Sequence, residues 1–262
     1  ITANGDFKLY SGSTLLESLE EGELVSISRR NGKFKIETPS KTYQKNQKPR
    51  FEAENGSILR IENYENRPTW NKELNDNLYR GDLEIDYLDS NLVVINELPL
   101  ELYLRGIAEV SNTEEPEKIK AIIVAARSYA VHYLTNEEKF PGKPYDLDDN
   151  PDVSQKYLGY GMELRSPKVT EAVKATESEV ITYDGEVVKS PYFNQSDGVS
   201  TKSAFEVWGW THTPYLVSVD DAHCEGTGVF LGHGVGMSGC GSKTMAEAGY
   251  NYKEILHYYY KG

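Results

Sequence analysis

Apolar positions change their spacing near residue 77 of this chain. Up to that point they come in short alternating runs, the pattern of strands that bury one face. Residues 23–28 and 33–38 flank Asn31-Gly32, a pair suited to the two positive-φ positions of a type I′ turn, and so predict a hairpin. Residues 41–48 are polar and basic. Residues 63–77 are rich in Asn and charge and contain Pro68, which reads as a linker or exposed loop. The pattern predicts a small all-β module over residues 1–77 that carries no recognisable chemistry and supports the second domain.

From residue 78 to 262 a helical period enters. Residues 79–89 and 92–96 read as strands leading into a helix over 98–108, with Pro99 in the first turn, where a missing N–H costs nothing. A second helix is predicted to open near Thr113 to Pro116 and to run to about Leu134. Thr113 can cap it, and Glu114, Glu115 and Glu117 complement the positive end of the helix dipole. Ile119, Ile122, Ile123, Ala126, Tyr129, Ala130 and Tyr133 fall at helical spacing and make its buried stripe. Arg127 sits at the edge of that stripe, and a guanidinium half inside a core needs a carboxylate or a ligand as partner. Beyond a loop at 141–151, residues 179–183 and 186–193 read as strands joined across Asp184-Gly185. Residues 242–248 read as a helix stopped by Gly249. The expected fold class is α+β. The second domain, residues 78–262, is expected to be a curved antiparallel sheet with a few packed helices, preceded by the small β module.

Just ahead of the last predicted helix, Gly232-His233-Gly234-Val235-Gly236-Met237-Ser238 alternates glycine with histidine and apolar residues. Glycine serves where backbone passes close to another group or takes a positive φ. The run is therefore either a tightly packed turn or a stretch of backbone N–H groups facing a cleft. Cys224 and Cys240 bracket it. They suit a disulfide that closes a short loop over His233. With His212, His223 and His233 they also suit zinc, although no C-x-x-C or H-x-x-x-H spacing is present. Acidic residues number 41 against 28 Lys plus Arg, for a net charge of −13, which repels phosphate backbones and argues against nucleic acid as a partner. It says little against a sugar backbone. No stretch approaches the roughly 18 apolar residues that span a bilayer. The sequence opens on Ile1, so a secretion signal or anchor is expected to have been removed, and membrane contact is expected only through such a segment.

Several short motifs stand in a fixed order from about residue 79 onward. They are Ala125-Ala126-Arg127-Ser128-Tyr129-Ala130, Gln155-Lys156-Tyr157-Leu158-Gly159, Tyr192-Phe193-Asn194-Gln195-Ser196-Asp197-Gly198, Val207-Trp208-Gly209, Pro214-Tyr215-Leu216, the glycine run, and Tyr252-Lys253-Glu254-Ile255-Leu256-His257-Tyr258-Tyr259-Tyr260. This ordered set resembles the SpoIID/LytB family of bacterial envelope proteins, named for a sporulation peptidoglycan hydrolase and an amidase enhancer. The resemblance implies peptidoglycan glycan strands as the partner, an extracytoplasmic place at the cell wall or in the secreted fraction, and no cofactor. The sporulation branch looks like lytic transglycosylases. The other branch binds wall glycan and stimulates a separate cell-wall amidase. A zinc site known in some members lies before the Gln155 segment, where residues 146–154 here hold neither Cys nor His, so no metal is expected.

Glu109 is the candidate catalytic residue. Its neighbours Ile107, Ala108 and Val110 are apolar, and desolvation raises a carboxyl pKa toward the range a general acid needs. By the resemblance, this one glutamate protonates the leaving oxygen and then takes the proton of the sugar's own 6-hydroxyl as an anhydro ring closes. By its residues alone, it can equally be a helix-end carboxylate in a structural salt bridge. Arg127, Gln155, Tyr157, Asn194, Ser196, His233 and Ser238 are candidate substrate-binding residues, with Arg127 placed either beside Glu109 or in a structural contact and Tyr157 either at a sugar or in the core. His233 is expected to be a hydrogen-bond partner rather than a proton-transfer group. Trp208, Trp210 and Tyr215 can stack on sugars or fill the core. Asp197 stands where the family has glycine, Asn194 where histidine is frequent, and Cys240 within a segment the family fills with a Gln-aromatic-Gly pattern.

Overall fold

The computed structural model describes residues 1–224 and 228–262 and divides into two compact units. The first is Ile1–Ile107 with Tyr157–Arg165, and the second is Ala108–Lys156 with Ser166–Gly262. The helices are α1 (Leu100–Arg105), α2 (Pro116–Thr135), α3 (Tyr160–Arg165), α4 (Pro167–Ala175), α5 (Ala204–Trp208), α6 (Gly239–Glu247) and α7 (Tyr252–Tyr259). Mixed sheets and helices make the fold α+β, as expected.

The first unit holds β1 (Thr2–Ala3), β2 (Phe7–Ser11), β3 (Thr14–Leu19), β4 (Ser26–Arg30), β5 (Lys33–Glu37), β6 (Thr42–Lys45), β7 (Pro49–Ala53), β8 (Leu59–Arg60), β9 (Leu78–Tyr79), β10 (Asp82–Leu88) and β11 (Asn91–Glu97). A five-stranded antiparallel sheet runs β11-β10-β7-β2-β3, beside two three-stranded sheets, β4-β5-β6 and β1-β8-β9. Period-two alternation explains the packing: Phe7 and Leu9 on β2, Phe34 and Ile36 on β5, and Leu83 and Ile85 on β10 point inward and form one core. The Asn31-Gly32 hairpin forms as the sequence predicts, with φ of 51° and 76°.

The expected boundary near residue 77 falls inside the first unit, and the stretch read as a linker is tied down at its end. Asp76 is 2% exposed and accepts a fork of hydrogen bonds from Arg165 of α3, at 2.5 and 2.7 Å. Thus β9, β10, β11 and α1 belong with the β module, and the long antiparallel sheet lies there rather than among residues 108–262.

In the second unit α2 is the central element. It is buried on nearly every side from Lys118 to Ser128 and packs against α4, α6 and α7. Its start falls within the expected stretch, residues 113–116, but Thr113 is not the cap. Glu115 is the cap position and Pro116 opens the first turn, while Thr113 hydrogen-bonds Ser111. Strands here are short: β12 (Thr182–Tyr183) with β13 (Glu186–Val187), antiparallel across Asp184-Gly185, and β14 (Tyr192–Phe193) with β15 (Met237–Ser238), parallel. Loops held by side-chain bonds to α2 do much of the work a sheet would do. Ser190 Oγ donates to the Ala125 carbonyl at 2.8 Å, and Ile181 N donates to Ser128 Oγ at 2.8 Å.

Candidate active site around Glu109

Glu109 stands on the connection between α1 and α2. Beside it, Ala108 N donates to the Lys156 carbonyl at 2.7 Å, which lays residues 108–109 against the segment ending at Lys156. The Glu109 carboxylate accepts the backbone N–H of Lys156 and the hydroxyl of Tyr192. Burial pushes its pKa up from the usual carboxyl value. The two donors favour the charged form and pull the other way, and burial wins. A carboxyl so placed keeps its proton to higher pH than a surface glutamate, and finds two hydrogen-bond donors ready once the proton leaves.

Three consecutive residues organise this pocket of contacts. Ser154 hydrogen-bonds the Tyr129 hydroxyl, Gln155 reaches Tyr192, and Lys156 supplies its amide to Glu109. Gln155 Nε2 donates to the Ala126 carbonyl at 3.2 Å and to Tyr192 Oη at 3.0 Å. Since the amide fills the acceptor side of that phenol, the phenol's own proton is directed to Glu109. Tyr129 is pushed up to about 12, chiefly by burial and further by the nearby Glu109 charge. Lys139 Nζ donates to the same Tyr129 hydroxyl at 2.9 Å.

Tyr192 also joins Glu109 to the glycine run. His233 Nδ1 accepts from Val235 N at 3.1 Å, so the ring proton sits on Nε2 and is donated to the Tyr192 backbone carbonyl. Burial lowers the pKa of His233 below its ordinary value, so the imidazole is neutral near pH 7. Its ring packs 5.8 Å from Phe193 and 4.9 Å from Trp208, centroid to centroid. The close approach of β14 and β15 depends on Gly236, which has φ of 77°. A Cβ there would stand 2.0 Å from the Pro191 carbonyl oxygen.

A partly buried carboxyl, between a phenol and a backbone amide, is equipped to give a proton and take one back. Residues 88–183, which include Glu109, Arg127 and Gln155, match the family model described as SpoIID, stage II sporulation protein. Over that stretch the chain is similar to the SpoIID family. It is 36% identical over 156 residues to an uncharacterized protein of Brachyspira hyodysenteriae, covering 58% of this chain and 40% of that protein. It is also 29% identical over 136 residues to stage II sporulation protein D of Bacillus subtilis, and 30% identical over 146 residues to the protein of that name from Bacillus amyloliquefaciens. Those two matches cover 48% and 51% of this chain and 39% and 41% of the relatives. The chain thus spans about two fifths of the length of the curated relatives it matches. Tyr192 and His233 lie beyond the stretch that the SpoIID model matches.

The residues singled out from the sequence divide sharply once placed. Glu109, Gln155 and His233 converge on Tyr192. Gln155 is 1% exposed, so it acts by holding Tyr192 and not by touching a ligand. Arg127, also 1% exposed, turns its guanidinium to Thr176 Oγ1 (3.3 Å) and to the carbonyls of Val173 (3.3 Å) and Glu179 (3.2 Å). It ties α2 to the end of α4, a structural use in place of the expected one beside Glu109. Tyr157 belongs to the first unit, where its hydroxyl donates to Asn96 Oδ1 at 2.8 Å and its ring stacks on Tyr103 with centroids 5.1 Å apart. Ser196 and Ser238 are fully buried and spent on local backbone: Ser196 Oγ accepts from Gly198 N, and Ser238 Oγ caps α6 through Gly241 N. Asn194 is exposed, and its carbonyl takes the Cys240 N–H at 2.9 Å. Cys224 and Cys240 are joined in a disulfide, with Cα atoms 5.0 Å apart. Among the described residues no group of three or more His, Cys, Asp or Glu is placed to hold a metal ion. The residues missed from sequence are Tyr192, Tyr129 and Lys139. The first two lay inside quoted motifs but read as strand and core, and Lys139 carried no pattern at all.

Proposed function

We propose that this protein acts on the glycan strands of peptidoglycan as a lytic transglycosylase, with Glu109 as the general acid and base. The SpoIID match over residues 88–183 supports a cell-wall related role. The observation that carries the finer reading is the Glu109 carboxyl, raised by burial and held between the Lys156 amide and the Tyr192 hydroxyl. Protonated Glu109 gives its proton to the glycosidic oxygen as the bond from that oxygen to C1 breaks. The resulting carboxylate, steadied by its two donors, accepts the proton of the 6-hydroxyl of the same sugar as that oxygen bonds to C1. Atoms balance with no water consumed, and Glu109 ends protonated, ready for another cycle. The attacking hydroxyl is intramolecular, so proximity takes the place of a second activating carboxylate. Neutral His233 and Gln155 hold Tyr192 in position and exchange no proton with substrate.

The test is mass spectrometry of purified glycan strands after incubation with the protein. Anhydro-terminated fragments are expected. Reducing ends would replace this mechanism with hydrolysis. Intact strands combined with stimulation of a cell-wall amidase would assign the protein to the enhancer branch.

A further inference from the structure

Lys139 is a cation in an unusual setting. Its ammonium donates to Tyr129 Oη at 2.9 Å and lies 4.7 Å from the Tyr133 ring centroid, 5.4 Å from that of Tyr129 and 5.8 Å from that of Phe140. Three aromatic rings surround it, one of them the phenol it donates to, and among the described residues no carboxylate is placed at ion-pair distance from it. An ammonium carries three N–H donors, and the phenol uses one. Burial favours its neutral form, the more distant charges of Glu137 and Asp148 pull the other way without overcoming it, and a bound anion would offset the remaining cost. Tyr129 in turn lies close enough to Glu109 to feel its charge. The ammonium therefore sits one phenol away from the proton-transferring carboxyl, too far to neutralise it and well placed for a substituent of the sugar held there. The chain as a whole carries a net charge of −13, so an acidic polymer approaching it needs a local cation.

We propose that Lys139 is an anion-binding, specificity-determining residue that takes a carboxylate of the glycan substrate while Glu109 acts on the adjoining glycosidic oxygen. The inference rests on the glycan reading of the Glu109 site. Two carboxylates could supply the chemistry: the lactyl group of a strand stripped of peptide, or a carboxylate on a stem peptide.

Binding of both kinds of strand is measured for the parent, Lys139→Gln and Lys139→Arg, with each strand preparation also tested after chemical amidation of its carboxylates. Lys139→Gln is expected to weaken binding of the untreated strands by roughly tenfold to a hundredfold, the size of one charge-assisted hydrogen bond. Lys139→Arg should retain most of the affinity. Amidation should cost the parent the same factor and leave Lys139→Gln unaffected. The preparation that shows the effect identifies which carboxylate is bound. Equal weakening of treated and untreated strands by Lys139→Gln, or no weakening of either, overturns the assignment while leaving the glycan reading intact. A parent that binds no strand of any kind overturns the glycan reading itself, and the assignment with it.

Discussion

Gly236→Ala tests whether the glycine run is a device for close packing beneath the site. With φ of 77°, the position imposes left-handed backbone on the new side chain, at about 1–2 kcal/mol. The added Cβ would stand 2.0 Å from the Pro191 carbonyl oxygen and 3.0 Å from its carbon, so backbone has to move. That movement breaks the bond from Met237 N to Pro191 O, now 3.2 Å, worth about 1 kcal/mol. It also adds an overpacking cost of about 1–3 kcal/mol. The sum is about 3–6 kcal/mol. Gly249→Ala is the control, because φ there is 93° but nothing lies within 4 Å of the added atom, which leaves only the conformational cost of about 1–2 kcal/mol. At about 2–4 °C per kcal/mol for a chain of this size, thermal denaturation followed by circular dichroism should show a drop of roughly 6–24 °C for Gly236→Ala. The control should fall by about 2–8 °C on the same scale. Since β14 carries Tyr192, the first variant should also lose activity at a temperature where it remains folded. Equal losses of melting temperature in the two variants would refute the close-approach argument.

Glu109→Gln should fold, bind glycan and lose about 10²–10⁴-fold in turnover. Because burial raises the folded pKa, the stability Glu109 contributes is present below its unfolded pKa and lost as pH rises through the folded one. The variant's melting temperature should therefore match the parent in acid and exceed it increasingly toward neutrality, and a constant offset across pH would contradict the burial. The same protonation requirement makes the parent's kcat/KM fall on the alkaline side, a limb that Tyr192→Phe should move to higher pH by removing a donor to the charged form. Arg127→Met should cost about 3–5 kcal/mol by chemical denaturation, through carbonyls left unpaired in the α2–α4 contact. An Arg127→Met variant of unchanged stability that had lost only activity would restore the residue to the site. Reduction of Cys224–Cys240 should destabilise the protein by about 3 kcal/mol, as expected for release of a loop of this size. An unchanged melting temperature in reductant, with both thiols alkylated, would count against that.

Local signals in the sequence carried the elements whose causes are local. Asn31-Gly32 and Asp184-Gly185 each supply two consecutive positive-φ residues, and both turns form where they stand. The stripe on α2 was legible for the same reason, as was its start within residues 113–116, although Glu115 and not Thr113 takes the cap position because Pro116 opens the first turn. A further local signal went unread: Asn251 and Glu254 form a capping box that opens α7. What could not be read was association between distant segments. Residues 63–77 look like a linker by composition, yet Asp76 is anchored by Arg165, 89 positions away. The sheet expected in the second domain is largely replaced there by loops bonded to helical carbonyls and hydroxyls, and no periodicity encodes that.

The site divides along the same line. Desolvation of Glu109 was foreseeable from Ile107, Ala108 and Val110, since a carboxyl's apolar neighbours in sequence are also near it in space. Arg127 was foreseeable as a buried cation needing partners, but sequence could not say which. The fold answers with Thr176, Val173 and Glu179, 46 to 52 positions on, and so removes it from the chemistry. Tyr192 shows the opposite error. It reads as an ordinary strand tyrosine, and only the meeting of Gln155, His233 and Glu109 upon it gives it a role. A buried polar side chain whose hydrogen bonds end on helix or loop backbone is holding the fold, as Arg127, Ser196 and Ser238 do. One whose bonds end on the hydroxyl that serves a raised carboxyl is holding the site, as Gln155 does. The difference lies in the last acceptor of each chain of bonds, which residue type and spacing do not record.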